Sequence, residues 1–284
     1  MGIHANAEVR SKRTTLEVLL LACSMQPPAG GPTPEAMALS LSQWRAMAAA
    51  AATATACVAA AAYVAGASAE RKRQAAAPAT RALVAGLLPG RVLVVTGGSS
   101  GIGREIALSA AENGAKVLIL DVTSEPVEGG EPTVVVAAQR LRSSAGGGEV
   151  ALLLGDTTKA ADIEAAVAEA VRRWGRLDVW INNAAIGVGG DLLNTTEQDW
   201  NRVLDINAKG YWMGSRAAAR QMLSQPPVAR DGVRGKIINI SSQHGMVCCP
   251  GDIAYGVSKA AAVYMTRQIA AEFAERGIVC NAVA

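Results

Sequence analysis

Tyr255 and Lys259 stand four residues apart in Tyr255-Gly256-Val257-Ser258-Lys259. On a helix that spacing puts both side chains on one face. An ammonium beside a phenol favours the phenolate and lowers the phenol's pKa from its ordinary value of about 10. Such a tyrosine can exchange a proton with an alcohol near neutral pH. A hydroxyl, Ser242, lies 13 residues before Tyr255 at the end of a strand-like run. Earlier in the chain, Thr96-Gly97-Gly98-Ser99-Ser100-Gly101-Ile102-Gly103 follows one apolar run and opens a helix-like one. Glycines there let the backbone turn tightly and approach a phosphate. A helix start adds free N–H groups and the positive end of a dipole, both suited to a pyrophosphate. The spacing is G-x-x-x-G-x-G rather than the commoner G-x-G-x-x-G. Asp121 ends the next apolar run, a position that faces an adenosine ribose in open parallel sheets. Its carboxylate can accept from both ribose hydroxyls and repels a 2′-phosphate, which favours NAD over NADP. Ser100, not a cation, precedes Gly101, and Arg104 offers partial compensation. The rival reading of Asp121 is a cap on a turn.

These residues need a scaffold, and the chain from residue 91 onward supplies one. Val92–Thr96, Lys116–Leu120, Val150–Leu154, Val179–Asn182, Lys236–Ser241 and Ile278–Val283 read as strands. Between them, Ile102–Asn113, Val134–Ser144, Ala160–Trp174, Glu197–Leu223 and Ile253–Arg276 read as helices. Asn113-Gly114 supplies a helix stop. Nearly continuous apolar strands alternating with helices imply right-handed crossovers and a parallel sheet covered on both faces. The expected fold is α/β, a doubly wound parallel sheet. Sites in such sheets form along the carboxyl edge. The glycine turn, the Asp121 carboxylate and the Ser242–Tyr255–Lys259 set therefore converge on one crevice. The stretch 124–133, rich in Gly, Glu and Pro, is expected to be a surface loop longer than the crossover needs.

With these motifs in this order, residues 90–284 resemble the short-chain dehydrogenase/reductase family, whose fold is Rossmann-like. Thr96–Gly103 is similar to its cofactor loop, so the resemblance implies cofactor contacts from Gly97, Ser99, Ser100, Gly101, Ile102 and Gly103. Asp156, with Thr157 beside it, matches the acidic position that contacts the adenine ring. Asn182-Asn183-Ala184-Ala185 resembles the family's N-N-A-G motif, which brings Asn183 and Ala184 to the cofactor. Ala185 stands where the family has Gly, and its methyl is either tolerated there or crowds backbone near the cofactor. Asn207 matches the catalytic asparagine, and Ser242, Tyr255 and Lys259 match the remaining catalytic positions. The resemblance implies an NAD(P)-dependent oxidoreductase acting on a secondary alcohol or ketone. Tyr255 would be the general acid/base, and Lys259 would assist it and hold the nicotinamide ribose. Ser242 would bond the substrate oxygen, and Asn207 would hold a relay water. It also implies a homo-oligomer. Asn281-Ala282-Val283-Ala284 resembles the opening of N-A-V-x-P-G, after which the family continues with a substrate-covering segment, a helix and a seventh strand. The chain stops at Ala284, so the expectation is a C-terminally incomplete domain, with a truncated, non-catalytic NAD-binding module as the alternative.

Composition limits the rest. Half of the 284 residues are hydrophobic, enough to bury a core. A net charge of +3 and 4% aromatics disfavour nucleic acid as partner. The basic excess lies in residues 1–90, with eight Lys/Arg against four Asp/Glu. Composition changes at Pro89-Gly90, which divides an Ala-rich extension, 1–88, from the dinucleotide-binding catalytic domain, 89–284. Ala46–Ala67 contains 14 alanines and no charge, followed by Arg71-Lys72-Arg73. It is read as a leader or tail, with a membrane anchor as the alternative. Five cysteines, an odd number without metal-ligand spacing, and two histidines argue against a disulfide framework and a metal site. An intracellular protein is expected. His244, Cys248 and Cys249 are read as pocket-loop residues without catalytic duty. Trp174, Trp180, Trp200 and Trp212 are expected in or beside the core.

Overall fold

The computed structural model describes residues 88–142, 147–228 and 232–284. The Ala46–Ala67 stretch and most of the extension lie outside the described residues. Among the described residues no helix is long and apolar enough to cross a membrane.

The chain runs β1 (Val92–Thr96), α1 (Gly101–Glu112), β2 (Lys116–Asp121), α2 (Thr133–Leu141), β3 (Glu149–Leu154), α3 (Ala160–Trp174) and β4 (Val179–Asn182). It continues with α4 (Glu197–Leu204), a π-helical turn (Asp205–Lys209), α5 (Gly210–Ser224) and β5 (Gly235–Ile240). A 3₁₀ turn (Gln243–Gly245), α6 (Ile253–Phe273), a second 3₁₀ turn (Ala274–Arg276) and β6 (Ile278–Val283) complete it. The six strands form one sheet in the order β3-β2-β1-β4-β5-β6, with every neighbouring pair parallel. Each crossover carries a helix, as a parallel pair requires.

All five residues of β1 are buried, which is why it reads as an unbroken apolar run. Period-two alternation sends Val92 and Val94 to one face, where they join Ile163, Ala166 and Ala170 of α3 and Met213, Ala218 and Met222 of α5 in one cluster. Leu93 and Val95 point to the opposite face, the side on which α1 buries Ile106, Ala107 and Ala110. Each fully buried aliphatic side chain contributes about 1.5–3 kcal/mol. At the amino edge of the sheet, Asp178 accepts from the Val92 amide at 2.9 Å and from Arg176 Nε at 2.8 Å, which fixes β4 against β1.

Two expectations are corrected. The single helix expected over Glu197–Leu223 is broken at Asp205–Lys209, where the Gly210 amide reaches back to the Asp205 carbonyl. The extra residue in that turn rotates the helix face and buries Asn207 completely. Trp212, expected in the core, is 47% exposed under the Arg216 guanidinium, because α5 turns that face away from the sheet. Trp180 is fully buried, and Trp174 packs against the core as expected.

Candidate active site

Order reverses between β1 and β4: the chain leaves β1 toward β2 on one side and reaches β4 on the other. The loops after these two strands diverge and leave a crevice at the carboxyl edge. The glycine turn stands there. Gly97 has φ +66°, and a Cβ on it would meet the Ala184 Cα at 2.9 Å. Gly103 has no room for a side chain either, because the Gly97 carbonyl and the Asn183 amide occupy the space. Asn183 Nδ2 donates to the Thr96 and Gly97 carbonyls at 2.9 and 3.0 Å, and the Asn183 and Ala184 amides donate to Thr96 Oγ1. Thus the segment after β4 clamps the turn after β1. Ala185 is exposed, and its methyl does not enter that clamp.

Ser100 precedes the first turn of α1 and makes no side-chain cap to it, so that turn keeps amides for an anion. One anion already stands there: Glu128 Oε1 accepts from the Gly101 amide at 3.0 Å. Ser100 Oγ accepts from the Val127 amide at 2.8 Å. The loop after β2 therefore folds over the glycine turn. With a carboxylate on the Gly101 amide and no room for side chains at Gly97 and Gly103, the cradle is one that a dinucleotide pyrophosphate would fit. Ile102 is exposed beside it, and Arg104 carries a buried Nη1 with no hydrogen-bond partner.

Asp121 Oδ2 accepts from the Ser99 amide at 2.9 Å, and Oδ1 lies 3.4 Å from the Thr123 amide. Ser99 Oγ donates to the Thr123 carbonyl at 2.6 Å. The turn-cap reading of Asp121 is thus what these contacts describe, and they also hold the carboxylate against the glycine turn. Asp156 Oδ1 takes both the amide and the hydroxyl of Thr158, and Asp162 holds the Asp156 amide. Thr157 is buried against Gly210 at the start of α5.

On the other flank of the crevice, α6 carries Tyr255 and Lys259 one turn apart. Lys259 is 1% exposed, and its Nζ lies 5.4 Å from the Tyr255 ring centroid. Burial lowers the lysine from 10.5 to about 8. Its Nζ donates to the Ile240 carbonyl at 2.8 Å and to the Tyr211 hydroxyl at 3.2 Å. Asn207 is joined to this helix through Ser258: its Nδ2 donates to Ser258 Oγ at 3.0 Å, and Ser258 Oγ donates to the Tyr255 carbonyl at 2.7 Å. The same amide pairs with both backbone groups of Ile186 after β4. Asn207 therefore couples α4–α5, the β4 loop and α6.

Ser242 is extended after β5, and its Oγ accepts from the His244 amide at 3.2 Å. That leaves its own proton to donate elsewhere. Ser241 Oγ donates to the Lys259 carbonyl at 3.0 Å, which ties the end of β5 to α6. The His244 ring meets the Tyr255 ring edge-on at 5.8 Å, and its Nδ1 is 3.6 Å from Asp252. Cys248 and Cys249 are exposed in the same loop. Among the described residues no group of His, Cys, Asp or Glu could hold a metal ion.

Sequence reasoning missed a buried polar seam behind the site. Asn182 accepts from Trp180 Nε1 and donates toward Ser215 and Asn239, and Asn239 donates to Thr266 and toward Cys280. It also missed Tyr211. The signal for both is a polar residue inside an apolar strand or helix face, and it has meaning only once the partners are known.

The profile of the short chain dehydrogenase family matches residues 91–284. An uncharacterized oxidoreductase of Thermotoga maritima is 38% identical over 194 residues, covering 68% of this chain and 70% of that one. The 2-(S)-hydroxypropyl-CoM dehydrogenase 3 of Xanthobacter autotrophicus is 36% identical over 197 residues, covering 69% and 71%. A short-chain type dehydrogenase/reductase from Mycobacterium marinum superposes with a TM-score of 0.59 at 28% identity, over 69% of this chain and 74% of that one. With a clamped glycine turn, a buried lysine beneath a tyrosine and two-thirds of its length aligned, the chain belongs to the short-chain dehydrogenase/reductase family of oxidoreductases.

Proposed function

We propose that the protein transfers hydride between a nicotinamide dinucleotide and a secondary alcohol or ketone, with Tyr255 as general acid/base. The observation that carries this reading is the placement of the Lys259 ammonium 5.4 Å from the Tyr255 ring on one face of α6, beside a crevice that opens on the glycine cradle. A cation there stabilises negative charge that develops on the phenol oxygen during proton transfer. In oxidation, the Tyr255 phenolate takes the hydroxyl proton while hydride leaves the carbinol carbon, and a ketone results. Reduction reverses both transfers. A nicotinamide held there would be the hydride acceptor or donor. Ser242, with its donor proton unspent on the protein, holds the substrate oxygen. Asn207 holds α6 in register with the β4 loop, and a relay water beside it would serve Lys259. The secondary alcohol in the name of the Xanthobacter relative agrees with this substrate class.

Gly97, Ser99, Ser100, Gly101, Ile102 and Gly103 would receive the pyrophosphate, with Asn183 and Ala184 supporting it and Asp156 and Thr157 at the adenine. Asp121 favours NAD over NADP, because its carboxylate stands against the Ser99 amide and repels a 2′-phosphate. The test is Tyr255→Phe assayed with NADH against a panel of linear and cyclic ketones. Turnover by the parent protein and its loss in the variant, by at least about a hundredfold, with NADH affinity retained, is the expected result. Retained turnover removes the acid/base role.

A further inference from the structure

We propose that Tyr211 is a positioning residue for Lys259: its buried hydroxyl and the Ile240 carbonyl each take one ammonium N–H, which aims the third at the side where Tyr255 stands. The inference rests on the acid/base reading of Tyr255 and adds a component to it. Tyr211 lies at the start of α5, four residues after Asn207, and is 1% exposed. Its hydroxyl donates to the Ile240 carbonyl at 3.0 Å and accepts from Lys259 Nζ at 3.2 Å. Lys259 Nζ donates to that same carbonyl at 2.8 Å. The three groups close a ring anchored on the last residue of β5.

An ammonium has three N–H donors and no acceptor. Two are spent on acceptors that cannot move, since one is strand backbone and the other is a phenol locked to it. The ammonium also lies 5.1 Å from the Tyr211 ring centroid and 5.4 Å from the Tyr255 centroid. The two hydrogen bonds restrict its rotation about the last side-chain bond. The two phenols have opposite roles. Burial, and secondarily the charge of a Tyr255 phenolate, pushes the Tyr211 phenol well above its ordinary value. It stays neutral and acts as a fixed dipole. Tyr255 is only half-buried and faces the crevice. The other titratable groups at this end of α6 are His244, edge-on to Tyr255 on the 3₁₀ turn, and its neighbour Asp252.

The sign of the effect follows. Removing the Tyr211 hydroxyl takes one acceptor from the charged form of Lys259, so the ammonium is less favoured. Lys259 then gives up its proton at lower pH than in the parent protein.

The test is a ¹³C titration of the lysine Cε resonances on the full chain, with Lys259→Met identifying the Lys259 signal. In Tyr211→Phe the Lys259 midpoint is expected to fall by about half a unit or more below that of the parent protein. An unmoved midpoint overturns the proposal, even if the variant melts earlier, because a packing role alone would lower stability without moving the titration. If Tyr255→Phe keeps its turnover of ketones, the acid/base reading itself falls, whereas the Lys259 midpoint alone decides the role of Tyr211. Should Tyr211→Phe fail to fold, Tyr211→Met removes the hydroxyl while refilling the space with a flexible apolar chain. In the unsubstituted protein, a ¹H–¹⁵N spectrum of the lysine ammonium groups reads the same contact. A slowly exchanging Lys259 resonance is expected, and fast exchange with water overturns the proposal.

Discussion

Residue chemistry divides into what spacing reveals and what only neighbours reveal. Tyr255 and Lys259 were legible because one helical turn separates them and their types are reactive. Asp121 was legible as a carboxylate at a strand end, with both of its readings open. Tyr211, Asn182 and Asn239 were not, because each sits in an apolar context and gains meaning from a partner 29 to 57 residues away. Cys280 belongs with them. Burial pushes its thiol up to about 12, against a small opposing effect of the Thr266 hydroxyl. An unfolded chain ionises its thiol near 9, so the unfolded state binds fewer protons between 9 and about 12. The contribution of this thiol to stability is intact below pH 9 and is lost as pH rises toward 12. Denaturant melts of the protein and of Cys280→Ala are expected to diverge with pH. Between about pH 8 and pH 10 the parent loses on the order of 1 kcal/mol more than the variant. Lys259 titrates in both proteins and cancels in the difference. Parallel curves would show that the thiol is not sealed from water in solution.

At the level of elements, all six strands were legible as short, largely apolar runs between helix-like segments, although β3 and β6 are only partly buried. The interruption at Asp205–Lys209 was not, since a π turn leaves hydrophobic periodicity almost unchanged while rotating one residue inward. The loop after β2 was expected from its Gly, Glu and Pro content, yet its destination could not be read. It returns to the glycine turn and sets the Glu128 carboxylate on the Gly101 amide. A pyrophosphate bound as proposed would compete with that carboxylate for the amide. The contact is exposed and worth about 0.3–1 kcal/mol. Glu128→Gln is expected to tighten NAD binding about two- to fivefold by calorimetry. An unchanged affinity would show that the loop leaves the turn before the dinucleotide arrives.

On the scale of the whole molecule, fold class was legible from alternation alone, whereas the strand order comes only from the pairing of β1 with both β2 and β4. The switch point lies where β1 stands between β2 and β4 in the middle of the sheet. Its two neighbours are β2, which begins at Lys116, and β4, which begins only at Val179. A fragment ending at residue 174 would hold three strands and leave one edge of β1 unpaired. Since Leu93, Val94 and Val95 are at most 2% exposed in the whole chain, that fragment is expected to aggregate. Residues 88–284 should remain dispersed, and light scattering of the two would decide it. The same geometry governs manufacture in the cell. Synthesis delivers β1 first and its second partner roughly ninety codons later, which at about 5–20 residues per second leaves a sticky ribbon waiting for several seconds. A newborn chain of this design depends on whatever holds that ribbon apart from its siblings until the ribosome has passed β4.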